Sequence, residues 1–206
     1  LSFNQLPYPP TLPGEWARKN GDPTSYKRIW IQPFWSQDYI DLPYIHEPFN
    51  NVEDQQKWHA SGFTQTRFTG DMYDMRSPEP DWIERFRQII PLDNFSWSIY
   101  RMRPGDVIPN HRDTFAKFRE IYRLSADTVI RRYVIFLENW QSGHYFEIDH
   151  QPIVKWNAGT AVLWHNDTPH LAANLGTAPR FTLQLTGTID TSKRNWRLEH
   201  ANDSLW

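Results

Sequence analysis

The chain has 206 residues, a formal charge of -2, eleven Trp, sixteen Pro and no Cys. That length suffices to bury one sizeable core, and the interspersed charges build no broad field that would recruit nucleic acid or an acidic membrane surface. Without cysteine there is neither a disulfide nor a thiolate ligand, so any metal must be held by nitrogen and oxygen. No apolar run approaches a membrane span, and the first residues, LSFNQLPYPPTLPGEW, lack the basic-then-apolar order of a signal peptide. The expectation is a soluble, cytoplasmic protein with a single domain over 1–206.

In chain order, residues 1–22 are rich in Pro, Gly and Asn without a period and read as an extended arm. Short strands are expected at Arg28–Phe34 and Gly62–Phe68, separated by loop-rich sequence. The segment 80–90 places Trp82, Phe86, Ile89 and Ile90 at helical spacing and ends before Pro91, which predicts an amphipathic helix. From Phe95 the texture becomes strand after strand, punctuated by Gly, Pro and Asn. Strands are predicted near 96–103, 106–111, 129–137, 144–148, 152–155, 160–165, 168–174 and 179–189. Between the second and third of these, Phe115, Phe118, Ile121 and Tyr122 recur at helical spacing, as a helix or lid would. This pattern predicts a mainly β fold, a jelly roll or other double-sheet barrel with a few flanking helices and its core over 95–189.

Chemistry concentrates in that core. Met102 to Asp113 carries a Pro-Gly turn, then a strand ending in His111-Arg112-Asp113. Residues two apart on a strand share a face, so His111 and Asp113 can offer one imidazole and one carboxylate to a single ion while Arg112 points away. His170 follows a strand-turn-strand and supplies a third ligand. Two histidines and a carboxylate leave three coordination positions open, which suits non-haem iron(II) and oxygen chemistry. Ten residues beyond His170, Arg180 can grip a carboxylate bidentately, with Thr182 on the same strand face adding a hydroxyl.

The order His-x-Asp, a Gly-containing turn and strand, Pro-His, then Arg resembles the iron(II)/2-oxoglutarate-dependent dioxygenases, and the likeness spans roughly Tyr100 to Gly187. Within that superfamily, Arg103-Pro104-Gly105 and the strand pair Arg131 and Tyr133 look most like the aspartyl/asparaginyl β-hydroxylase-like and prolyl hydroxylase-like branches. The resemblance implies a double-stranded β-helix, the cupin-like jelly-roll barrel. It implies iron(II) on His111, Asp113 and His170, and 2-oxoglutarate with its far carboxylate on Arg180 and Thr182. Oxygen would convert that cosubstrate to succinate and carbon dioxide while an unactivated carbon of an amino-acid or peptidyl side chain, free or in a protein, is hydroxylated. Related halogenases lack the carboxylate ligand, so Asp113 implies hydroxylation.

Other assignments compete. His165 and Asp167 form a second His-x-Asp near His170, although Asn166-Asp167-Thr168-Pro169 reads as a turn. The strand 129–137 is apolar on both sides, so its period does not decide between Arg131 with Tyr133, which the resemblance implies would contact the cosubstrate or substrate, and Arg132 as the barrel-facing set. Arg112, Arg131 and Arg132 are candidates for a substrate carboxylate, and Tyr100 for a pocket wall. His144 and His150 flank a strand and read as core or solvated residues. Two rival functions are a cupin-like metal-binding protein or isomerase without oxygen activation, against which Arg180 counts, and a non-catalytic jelly-roll interaction domain.

Overall fold

The computed structural model describes residues 26–46, 51–63, 70–165 and 168–189. The expected arm, most of the expected strand at 62–68, Asp167 and the side chain of His165 lie outside them. The elements run β1 (Tyr26–Trp30), a 3-10 turn (Gln37–Asp41), β2 (Ile45–His46), α1 (Val52–Ala60), β3 (Asp71–Asp74), α2 (Ile83–Ile89), β4 (Asp93–Met102), β5 (Val107–His111) and α3 (Ala116–Tyr122). There follow β6 (Ile130–Phe136), β7 (His144–Ile148), β8 (Gln151–Ile153), β9 (Thr160–His165), β10 (His170–Asn174) and β11 (Arg180–Thr188).

Strand order identifies the architecture. One sheet has the order β1-β9-β6-β11-β4-β3-β2 and the other β5-β10-β7-β8, with every pairing antiparallel. From β4 onward the chain crosses repeatedly between the sheets, and the eight strands β4 to β11 form two four-stranded layers, β9-β6-β11-β4 against β5-β10-β7-β8. This is a jelly roll, mainly β with few helices. Strands β1, β2 and β3 extend the larger sheet at its two edges, where they occupy backbone groups that would otherwise stand unpaired.

Two cores follow from this layering. Between the sheets lie Met102, Val134, Phe136, Phe146, Ile148, Trp156, Val162, Trp164 and Ala172. On the outer face of the large sheet, Trp82, Ile83 and Phe86 pack against Trp97, Ile99, Tyr133, Ile135, Phe181, Leu183 and Leu185. With both faces covered, β6 has no polar side, which is why its sequence shows no alternation. β11 does alternate. Phe181, Leu183 and Leu185 face the outer core, leaving Arg180, Thr182, Gln184 and Thr186 to face the barrel interior.

The helices depart from expectation in detail. α2 begins at Ile83 because Pro80–Trp82 forms a turn, closed by Ile83 N–H donating to the Pro80 carbonyl at 2.9 Å. α3 is held between two left-handed residues, Phe115 (φ 53) and Arg123 (φ 52), and buries none of its own side chains. Its apolar residues meet one another instead, with Phe118 and Tyr122 rings 4.8 Å apart and Ile121 exposed. The first strand spans 26–30 rather than 28–34. Its ladder extends only through Ile31, which bonds the Gly159 carbonyl, before Pro33, which has no N–H to give.

Candidate metal centre

The turn before β5 requires its glycine: Gly105 sits at φ 88 and donates to the Asn174 carbonyl, while the Asp106 carboxylate accepts from the Arg103 N–H at 2.7 Å. β5 is thereby fixed against β10, with His111 opposite His170 in register and their rings 4.2 Å apart. Asp113 lies just beyond the strand. One donor atom from each of His111, Asp113 and His170 falls within 4.8 Å of the others.

The two imidazoles are set for ligation by their backbone contacts. His111 Nδ1 lies 2.8 Å from the Pro109 carbonyl, and His170 Nδ1 lies 3.0 Å from the Thr168 carbonyl. A carbonyl oxygen only accepts, so each Nδ1 carries the proton and each Nε2 keeps its lone pair. Burial lowers both pKa values. For His170 burial acts first and His111 beside it second, bringing the value to about 4. For His111 burial outweighs the attraction of Asp113. Both rings are therefore neutral at pH 7, as ligands must be. Burial acts to raise Asp113, but Arg132 and then the two histidines outweigh it, and the carboxyl stays below the usual aspartate range.

Asp113 Oδ2 is buried, accepts no hydrogen bond and lies 3.6 Å from His170 Nε2. Two imidazole lone pairs and an unbonded carboxylate oxygen facing one point fit a divalent cation of the borderline kind, iron(II) included. Rings close the surroundings: Trp164 lies 4.8 Å from His170, and Trp58 meets His111 edge-on at 6.2 Å.

The remaining expected residues divide. Arg180 is buried and inward-facing; Nη1 donates to the Tyr145 carbonyl at 2.7 Å, Nη2 lies 2.6 Å from Met102 Sδ, and Nε has no hydrogen-bond partner. Burial lowers its pKa to about 10, against the pull of Glu138, whose own carboxyl is raised by burial to about 7. Thr182 is buried on the same face. Arg131 and Tyr133 do not join the site. Tyr133 belongs to the outer core, and Arg131, two residues away on β6, shares that outer face. Arg132 takes the barrel-facing position, where its Nη1 reaches Asp113. Tyr100, alternating with the outer-core residue Ile99, lies on the interior face of β4. His144 is a core residue at the far end of β7, with Nε2 3.1 Å from the Ala178 carbonyl and its ring stacked on Trp156. His150 is exposed.

One component escaped the sequence reading. α1 lies against the edge that carries His111, held by Trp58, whose indole N–H donates to the Asn110 carbonyl at 3.2 Å. Beside it a cavity of about 430 Å³ reaches His111 and Asp113, walled by Asn51, Glu53, Asp54 and Lys57 on one side and Arg112, Thr114 and His150 on the other. Asn51 caps α1 through bonds from the Glu53 and Asp54 N–H groups. An Asn followed by two acids is a helix-start signal and could have revealed it.

No protein-family model and no curated protein matches the sequence. Among solved structures, the chain is similar to a prolyl-4-hydroxylase from Pseudomonas putida, at 15% identity and TM-score 0.47 over 81% of this chain and 93% of that one. It is also similar to a predicted oxalate decarboxylase from Thermotoga maritima, at 13% identity and TM-score 0.35 over 58% and 80%. A cupin protein from Bacteroides fragilis matches at 15% identity and TM-score 0.35 over 53% and 78%. These are likenesses of fold, and the jelly roll rests on the strand order given above.

Proposed function

We propose that His111, Asp113 and His170 hold iron(II) and that the chain is a 2-oxoglutarate-dependent oxygenase hydroxylating an unactivated carbon of an amino-acid or peptidyl side chain. The observation that carries this reading beyond a generic metal-binding barrel is Arg180, a guanidinium buried on the interior face whose Nε–H has no hydrogen-bond partner. Burying a cation with so little compensation is costly, and an incoming carboxylate supplies what is missing. Its Nη1 touches Tyr145, three residues along β7 from Ile148, the partner of His170; that is about 10 Å of strand. A five-carbon diacid held at both ends suits such a span.

Iron(II), 2-oxoglutarate and oxygen supply the oxidising chemistry that these side chains lack, and the protein contributes position and a dry site. His111 and His170 present Nε2, Asp113 presents one oxygen, and Arg180 with Thr182 receives the far carboxylate. Trp164 and Phe146 exclude water on the barrel side. The cavity beside α1 gives the substrate access to the ligands from outside, and its polar walls suit an amino-acid or peptide backbone.

The test is to add iron(II) and 2-oxoglutarate to the apoprotein without oxygen, record the visible spectrum, then admit oxygen and measure succinate. A weak charge-transfer band and succinate formation are expected, both lost in His170→Ala. Metal binding with neither band nor succinate would favour the cupin-like reading. No metal binding at all would leave a non-catalytic jelly roll.

A further inference from the structure

We propose that Arg132 is a positioning residue that restricts Asp113 to one ligating oxygen and so keeps a coordination position free at the metal; this rests on the metal reading above. The carboxylate is split between two tasks. Arg132 Nη1 lies 3.1 Å from Oδ1, which accepts its hydrogen bond, and 3.0 Å from Oδ2, which accepts none. Oδ2 is also the oxygen facing His170 Nε2, at 3.6 Å. Nη1 is about equally near both oxygens, but only Oδ1 receives its N–H, so Oδ2 is the oxygen whose lone pairs stay free to ligate.

Arg132 is itself fixed on two further sides. Its Nε donates to Thr186 Oγ1 at 3.3 Å, and its guanidinium lies 4.8 Å from the centre of the Phe115 ring. Phe115 is buried, follows Asp113 by two residues and adopts φ 53, a conformation unfavourable for a bulky side chain. The backbone thus turns sharply after the carboxylate and lays the ring over the same guanidinium. Thr186 also lies directly across the ladder from Arg132, so the large sheet supports the contact.

The consequence is stoichiometric. On a six-coordinate metal, the two imidazoles and one Asp113 oxygen would fill three positions. A chelating oxoacid needs two more and dioxygen the last. Were Asp113 to bind through both oxygens, one of these guests would lose its place.

Manganese(II) and cobalt(II) serve as probes on the chelated, full-length protein. Free manganese is read by its paramagnetic resonance, exchangeable bound waters by proton relaxation, and coordination number by the cobalt d–d intensity. In Arg132→Met the bound-water count is expected to fall by one, with affinity weakened roughly 10- to 100-fold. Arg132→Lys, which keeps a cationic donor, restores most of the water count. Phe115→Leu, which removes the ring and leaves every charge, shows a smaller change in the same direction and serves if Arg132→Met does not fold. Unchanged water count and affinity in a folded Arg132→Met or in Phe115→Leu overturn the proposal while the metal site stands. A wild type that binds neither ion overturns both.

Discussion

Arg180 poses the sharpest question about a single residue, because its charge is buried near one half-buried carboxylate, Glu138, and both Arg180 Nε and Glu138 Oε1 lack a hydrogen-bond partner. Glu138 attracts Arg180 from beyond ion-pair distance, so removing the guanidinium alone leaves a half-buried carboxylate with less compensation, whereas removing both charges is often nearly neutral. Arg180→Met is therefore expected to destabilise the apoprotein at pH 8, and Arg180→Met with Glu138→Gln to recover to within about 1 kcal/mol of wild type. The double variant should nevertheless lose 2-oxoglutarate affinity on the order of 100-fold, since two charge-assisted hydrogen bonds are gone. Urea unfolding and cosubstrate titration check this. A double variant that binds 2-oxoglutarate normally would make Arg180 a structural residue. At this scale the convergence of His111, Asp113 and His170 was legible, because the spacing His-x-Asp and the following Pro-His are local facts that strand geometry converts into a shared point. The arginine that serves Asp113 was not legible, since both faces of β6 are buried and nothing in Arg131-Arg132-Tyr133 marks which side looks inward.

Elements differ in how they are anchored, and that governs what the sequence reveals about them. β7 and β9 have the bounds that pattern alone suggests, and the other barrel strands agree within a few residues, because Gly, Pro and Asn punctuate each run. β3 and β2, with four and two residues, are too short to carry a period. α1 buries only Trp58, so it has no apolar stripe to detect. That buried anchor makes a prediction. Truncating a buried Trp ordinarily costs about 3–5 kcal/mol, but here a helix with one buried side chain can detach for less than the barrel needs to unfold. In Trp58→Ala, hydrogen exchange across 52–60 should approach that of free peptide while β6 and β11 keep their protection. Metal affinity should change little, and substrate KM should rise as the cavity loses its wall. Equal loss of protection in the barrel strands would show that α1 is part of the global fold. α3, with no buried residue, should exchange quickly in wild type and variant alike.

For the whole molecule, stability and metal retention should depend on pH in different windows. His170 falls from an ordinary value near 6.5 to about 4 in the folded protein, and His111 shifts the same way, both chiefly through burial. As pH drops from 7 toward 4, the unfolded chain takes up protons that the native state refuses. Stability of the apoprotein is then fully present above about 6.5 and lost progressively below it, by on the order of 3 kcal/mol for His170. Glu138 works in the opposite sense. Its folded value, raised to about 7, means that the native carboxyl keeps a proton the unfolded chain has released, so its contribution is lost as pH rises through 7. The histidine slope is therefore best read in Glu138→Gln. Metal binding follows the native values alone, because protons compete for ligands in the folded site. Affinity for cobalt(II) should fall as His170 titrates near 4, whereas apoprotein stability already declines from 6.5. Urea unfolding of the apoprotein and cobalt titration across that range separate the two curves. A cobalt affinity that drops steeply from pH 6.5 would mean that the barrel does not hold its imidazoles neutral, and the burial that defines this centre would have to be wrong.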